Sequence, residues 1–484
     1  MPLVLAVSAT ILAFMAIVLA RTLSVPGAAA PRAPLSSLEL ESAAGIEDKL
    51  AALVRFATIS SWDASLENAA AFEALIAALP GLFPQVHAAL ARERIGDRAL
   101  LYAWQGKDPA LEPAILCAHF DVVPAEDEAG WRHGPFSGDI DDGFVWGRGT
   151  QDIKVTLASA LEAAERLLSR GFQPRRTILF AFGGDEEVGG NRGAALIAKE
   201  LARRGTRAAF LLDEGGPVAK GMLAMADRPL ALVGIAEKGY IDVRLEATGS
   251  GGHASMPPRR TATGDIARAV AALEAKPGST RIGFTVKSFL GRLRPYVPFG
   301  YRVLFSNLWV FGPLVRLAFS GSPTTAALLR STRAATMLEG SPKENVLASH
   351  ASAIINVRIL PGEDSLGVLD RIMQIVGRFG VVASPAHADS VVEPLPESSL
   401  DTELWRAIEA ALGTAFPEAA MLPFLFSAGT DTKHYRHIAR AMYRLTPLLQ
   451  TSEDLAGVHG RDERVEISNL RRCLRFYETL IGSL

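Results

Sequence analysis

Cysteine is nearly missing from this chain, which has only Cys117 and Cys473 among its 484 residues. Two are too few for a disulfide framework or a thiolate-built zinc site. Cys117 lies in the apolar run from Ile115 to Ala118 and reads as a small buried thiol. An excess of charge is missing too: 50 Lys and Arg stand against 52 Asp and Glu, a formal net charge of −2. Such a balance gives no electrostatic case for a nucleic-acid partner or for adsorption on an anionic membrane surface. No internal repeat is visible.

A long uncharged run is present at the N-terminus, where Leu3 to Ala20 carries no charge and Arg21 closes it. Its length is near the minimum for crossing a bilayer, so residues 1–22 are expected to be a single-pass anchor. A signal peptide is the alternative, with Ala28, Ala29 and Ala30 as a small-residue cleavage site. The protein is therefore expected to be membrane-anchored or exported. Residues 23–44, rich in Pro and Ala, read as a flexible linker.

The remaining length exceeds one ordinary core, so a large domain with an insertion is expected. From Ile46 onward, short apolar runs alternate with amphipathic stretches, the pattern of a layered α/β domain. Ala114 to Ala118, Thr177 to Phe182 and Ala208 to Leu212 read as buried strands. Between them, 155–170 and 192–204 have helical periodicity, each followed by a glycine. Three strand ends are thereby brought to one sheet edge. Past Ile235 the texture changes to alternation: Ile241, Val243 and Leu245 interleave with Tyr240, Asp242, Arg244 and Glu246, as in a half-buried antiparallel strand. The division expected is a catalytic domain of 45–236 and 362–484 with an inserted domain of 237–361. Within the insertion, 284–319 is crowded with Phe, Tyr and Trp; this segment reads as aromatic core, or as an apolar wall or membrane-contacting face.

Polar residues of one chemistry collect at the expected sheet edge. His119 and Asp121 follow the first strand, and an imidazole that binds a metal needs its second nitrogen held, which Asp121 is near enough to do. Gly147 and Gly149 flank Arg148 and allow a tight turn before Asp152, whose simpler role is a helix N-cap. Asp185, Glu186 and Glu187 follow the second strand, and Asp213 with Glu214 the third. Adjacent carboxylates after buried strands need a cation to be tolerated. Mixed nitrogen and oxygen donors suit Zn²⁺ or a similar divalent ion. His459, far along the chain, reads by spacing alone as a loop histidine.

Taken in order, AHFDVVPA, WGRGTQD, GGDEEVGG, LLDEGG, EKGYIDV, GGHASMPP, NVLA, NVRILPG, AGTD and GVHGRDERV cover the chain from about residue 45 to its end. This set resembles the di-zinc peptidase family of aminoacylase, carboxypeptidase S and glutamate carboxypeptidase. Within it, the chain looks most like carboxypeptidase S and the N-fatty-acyl-amino-acid synthase/hydrolase. The resemblance implies a catalytic domain with a mixed central sheet flanked by helices, an inserted α+β lid and dimerisation domain, and two Zn²⁺ or similar cations per subunit. His119 and Asp213 resemble the ligands of one ion, Glu187 and His459 those of the other, and Asp152 the bridge. Glu186 resembles the catalytic base, Asp121 the residue that orients His119, and His253 a lid histidine often supplied by a partner subunit. Asn345 and Arg358 match positions that hold a substrate carboxylate. The activity implied is zinc-dependent cleavage of the amide of N-acyl amino acids with an apolar acyl group and a free carboxylate. Carboxypeptidase or dipeptidase action on short peptides is the alternative, and a non-catalytic binding protein a remote one. Gly184 departs from the closest relatives, which tend to have histidine there.

Overall fold

The computed structural model describes residues 2–387 and 390–484. Its centre is a mixed eight-stranded sheet in the order 91–95, 99–104, 178–183, 114–119, 210–219, 442–450, 230–237, 420–426. The middle strands Ala114–His119, Ile178–Gly183 and Phe210–Ala219 run parallel, and the outer pair 91–95 and 99–104 is antiparallel. Every residue of 114–119 and of 178–183 is buried. Side chains alternate across a strand, so Leu116 packs into the core on one face while Ile115 and Cys117 pack into the core on the other. Both faces are covered, which is why these strands read as continuous apolar runs rather than alternating ones. Both cysteines are buried free thiols.

Helix Lys154–Ser169 lies against one face and is itself covered by helix Ile467–Gly482. It is buried along nearly its whole length, with its buried charges satisfied: Lys154 donates to the Leu53 and Phe56 carbonyls and Glu162 pairs with Lys49. Helix Ala194–Arg203 and the short turn Asp431–Tyr435 cover the other face.

A second, four-stranded antiparallel sheet has the order 332–339, 350–359, 239–248, 382–385. On 239–248, Ile241, Val243 and Leu245 face its core and the residues between them are half-buried. Helices Ala262–Glu274 and Ser365–Val376 supply Ile266 and Ile372 to the same core. The packing differs from the division at 237–361 in two respects. Helix 365–376 and strand 382–385 belong with the second sheet, although they follow residue 361. The aromatic segment packs elsewhere: Leu290, Leu293 and Phe305 share a core with Leu230, Ala420 and Leu422 of the large sheet. An amphipathic pattern reports that a face is covered, not which sheet covers it.

Pro2–Leu23 is one helix, long and apolar enough to cross a membrane, with a mean hydropathy of 2.7. Its last turns, at Val18 and Thr22, are buried.

Candidate metal centre

His119 closes the central strand, so its ring stands at the sheet's carboxyl edge. Its Nδ1 meets the Asp121 carbonyl oxygen at 3.0 Å and lies 3.4 Å from Asp121 Oδ1. This leaves Nε2 facing Asp152 Oδ1 at 3.1 Å. Asp152 Oδ2 in turn lies 3.0 Å from His459 Nε2, and the same nitrogen lies 3.2 Å from Glu187 Oε1. Four residues separated by as much as 340 positions in sequence thus meet around one point, Asp152 lying between the two imidazoles.

Each is positioned by a local device. The turn before Asp152 needs Gly149 at φ +87°, where a Cβ would meet Val122 Cγ1 at 2.7 Å. Glu463, fully buried, ties the turn down: its Oε1 accepts the N–H groups of Gly149, Gln151 and Asp152 at 3.0, 2.8 and 3.3 Å, and its Oε2 accepts Arg148 Nη1 at 2.6 Å. Asp121 is also fully buried and accepts the N–H groups of Glu186 at 3.1 Å and Glu187 at 3.2 Å, while Ser60 Oγ donates to it at 2.7 Å. One carboxylate therefore places both the first histidine and the acidic pair. Asp185, the third of the triplet, points away and accepts the Arg192 N–H at 2.6 Å. His459 sits in a left-handed turn, φ +58°, with its side chain half-exposed.

The electrostatics are those of anions crowded without enough counter-charge. Burial, reinforced by the charge of Glu214, holds Glu186 well above the usual carboxylate range. Burial and the charge of Asp152 do the same to Glu214. Burial alone pushes His119 down, but Glu214, Asp121 and Asp152 outweigh it and keep the imidazole well above its ordinary value. Glu187 Oε1 is buried and makes no aligned hydrogen bond. Two groups of donor atoms lie within 4.8 Å of one another, His119 with Asp152 and Glu187, and His119 with Glu186 and Glu214. An orphaned carboxylate oxygen among imidazole and carboxylate donors fits a divalent cation.

The structure does not bring every expected residue to this point. Asp213 is buried, but its Oδ2 accepts Thr432 Oγ1 at 2.8 Å and its Oδ1 the N–H of Glu214. Glu214 instead sets Oε1 3.6 Å from His119 Nε2. Glu186 and Glu187 line a cleft of about 960 Å³ together with Arg358, Lys238, Tyr240 and Trp62. Arg358 lies over the Tyr240 ring at 4.9 Å. His253 and Asn345 are not among the residues lining that cleft. His253 lies on the small ribbon formed by 252–253 and 346–347, and Asn345 just before its second strand, with the Ala254 N–H donating to the Asn345 carbonyl. His253 is exposed, and its Nδ1 accepts from Ser255. Sequence reasoning passed over Glu463 and named Glu214 only as the neighbour of Asp213; the acids of HGRDERV were the available signal for the first.

A family model, peptidase family M20/M25/M40, matches residues 115–483. The chain belongs to this family. It is 40% identical over 403 residues to a probable carboxypeptidase S-like 2 of Dictyostelium discoideum, covering 82% of this chain and 77% of that one. It is 37% identical over 400 residues to the N-fatty-acyl-amino acid synthase/hydrolase PM20D1 of Mus musculus, covering 81% and 79%. Among solved structures it is similar to an M20 family metallo-carboxypeptidase, Sso-CP2, from Sulfolobus solfataricus, with a TM-score of 0.66 at 15% identity over 90% of this chain and 98% of that one. The M20 fold, with its mixed central sheet flanked by helices, is the one described above. The chain is thus an M20 metallopeptidase or amidohydrolase, and its His and carboxylate cluster fits that family's metal chemistry.

Proposed function

We propose that this enzyme hydrolyses the amide of N-acyl amino acids that carry an apolar acyl group and a free carboxylate. The observation that carries this reading is that Glu186 and Arg358 face one cleft. A proton-transfer group and a fixed guanidinium share the space into which a substrate would fit.

In this reading His119, Asp152, Glu187 and His459 hold two divalent ions, zinc by the chemistry of the donors, with Asp213 or Glu214 completing the set. Such a pair, when bound, makes hydroxide available near neutral pH and polarises the amide carbonyl. The protein's own residues do the rest. Arg358, stacked on Tyr240, receives the carboxylate through a two-pronged contact that fixes the amide relative to Glu186. Glu186, held by the bond from its N–H to Asp121, takes a proton from the attacking water. Its elevated affinity for that proton suits it to deliver the proton to the departing amide nitrogen. The amine and the acyl carboxylate then leave. His253 and Asn345, which do not line the cleft of their own chain, serve the cleft of a second copy in a homodimer.

The 40% identity to a carboxypeptidase S-like protein favours a second reading, release of C-terminal residues from short peptides. Purified enzyme given long-chain N-acyl amino acids and dipeptides in competition separates the two. The first reading expects the larger kcat/KM for the acyl substrates, and a preference for dipeptides replaces it with the second.

A further inference from the structure

Helix 308–320 presents an unusual outer face. Its exposed positions are Trp309, Pro313, Leu314, Leu317 and Ala318, spaced at i, i+4, i+5, i+8 and i+9, which is one continuous helical stripe. No residue in that stripe is polar. Trp309 is 57%, Leu314 51% and Leu317 72% exposed. The inner side, with Gly312 and Val315, is buried on the large domain, so the helix, polar only at Arg316 and Ser320, is apolar on its buried side and on its uncovered stripe alike. A soluble surface does not leave such a face bare.

The N-terminal helix continues this face. Phe14 packs edge-on against Trp309 with ring centres 5.7 Å apart. Fully buried Asn307 donates through Nδ2 to the Val18 carbonyl at 3.3 Å and to Thr22 Oγ1 at 3.2 Å, and Arg21 Nε donates to the Ser306 carbonyl at 3.4 Å. These contacts join the end of the apolar helix to the bend, of 113°, between helices Phe299–Ser306 and Leu308–Ser320.

These contacts set the depth. The N-terminal helix is held to the protein from Phe14 onward, two turns before Arg21. A bilayer core is about 30 Å thick. A helix that crosses that core with Phe14 inside it and Arg21 at its polar end draws Trp309, and the stripe beside it, into the near boundary of the acyl chains. A Trp at the junction and an Arg at the polar end suit that boundary.

We propose that helix 308–320 is a monotopic membrane-docking face, embedded in the leaflet from which the retained N-terminal helix emerges. The enzyme body thereby sits on the bilayer at a fixed orientation rather than on a free tether. The occupant of the face is lipid.

The test uses the full-length chain reconstituted in vesicles of phosphatidylcholine and phosphatidylglycerol. Cysteine is introduced as Leu314→Cys, Leu317→Cys or, as a control on the exposed part of helix 365–376, Leu366→Cys, and labelled with an environment-sensitive fluorophore. Cys117 and Cys473 are buried and stay unlabelled. Labels at 314 and 317 are expected to emit to the blue and to be quenched by phosphatidylcholine carrying a nitroxide on its acyl chain. The label at 366 is expected to behave as in water. Aqueous emission at 314 and 317 overturns the proposal, as does blue emission without nitroxide quenching, which would place a second copy on the face. An intact mass showing that residues 2–23 have been removed overturns it as well.

Discussion

At the edge of the large sheet, Asp121, Asp213, Asp431 and Glu463 are buried with His119 and Arg148, whereas on helix 308–320 Trp309, Leu314 and Leu317 stand uncovered. The first region puts charge where charge is costly, and the second puts apolar area where water is. Ordinary folding produces neither arrangement on its own. The difference lies in what completes each: compact cations among fixed donors in one, a broad apolar medium against a smooth stripe in the other. Substitutions at the sheet edge should therefore change rate and metal content, while those on the stripe should change location and leave the isolated molecule intact.

The largest effect is expected for Glu186→Gln, which should lower kcat on the order of 10³-fold while metal content by mass spectrometry stays the same. Loss of metal along with rate would make Glu186 a ligand. Glu463→Ala should cost about 10–100-fold in metal affinity, as partners behind a ligand typically do, and Glu463→Gln should restore part of it. Equal losses in the two would reduce Glu463 to packing. Arg358→Met should raise KM about 10–100-fold, the worth of a hydrogen-bonded charge contact, for free-acid substrates but not for their methyl esters. Burial, with the nearby Arg358 charge, lowers Lys238 to about 8. It is therefore charged below that pH and neutral above, and KM for an anionic substrate should rise about fivefold, ~1 kcal/mol, as pH passes 8. Lys238→Arg should flatten that profile. The smallest effect is expected for Leu317→Ser, which should shift unfolding of the detergent-solubilised enzyme by no more than about 0.5 kcal/mol.

Much of the large sheet was legible because buried parallel strands write themselves as unbroken apolar runs, as at 114–119 and 178–183. The polar edge was legible for the same reason, since each acid cluster follows such a run directly. The convergence of His459 on Asp152 was not readable from spacing: its turn lies some 300 residues away, and only the resemblance suggested it. The approach of Glu214 to His119 was not readable either, since it depends on how the end of 210–219 is folded. The partner of the aromatic segment was hidden for a different reason. Helix 284–293 carries the same apolar face whichever sheet it covers, and Phe289 meets Phe424 of the large sheet only in three dimensions.

The central claim is that the anionic edge is completed by metal. Stripping the purified enzyme with a chelator and titrating a divalent ion back, with activity and bound metal followed together, tests it directly. Activity is expected to vanish and to return in full as two ions bind per chain. Full turnover by the metal-free protein would contradict the account.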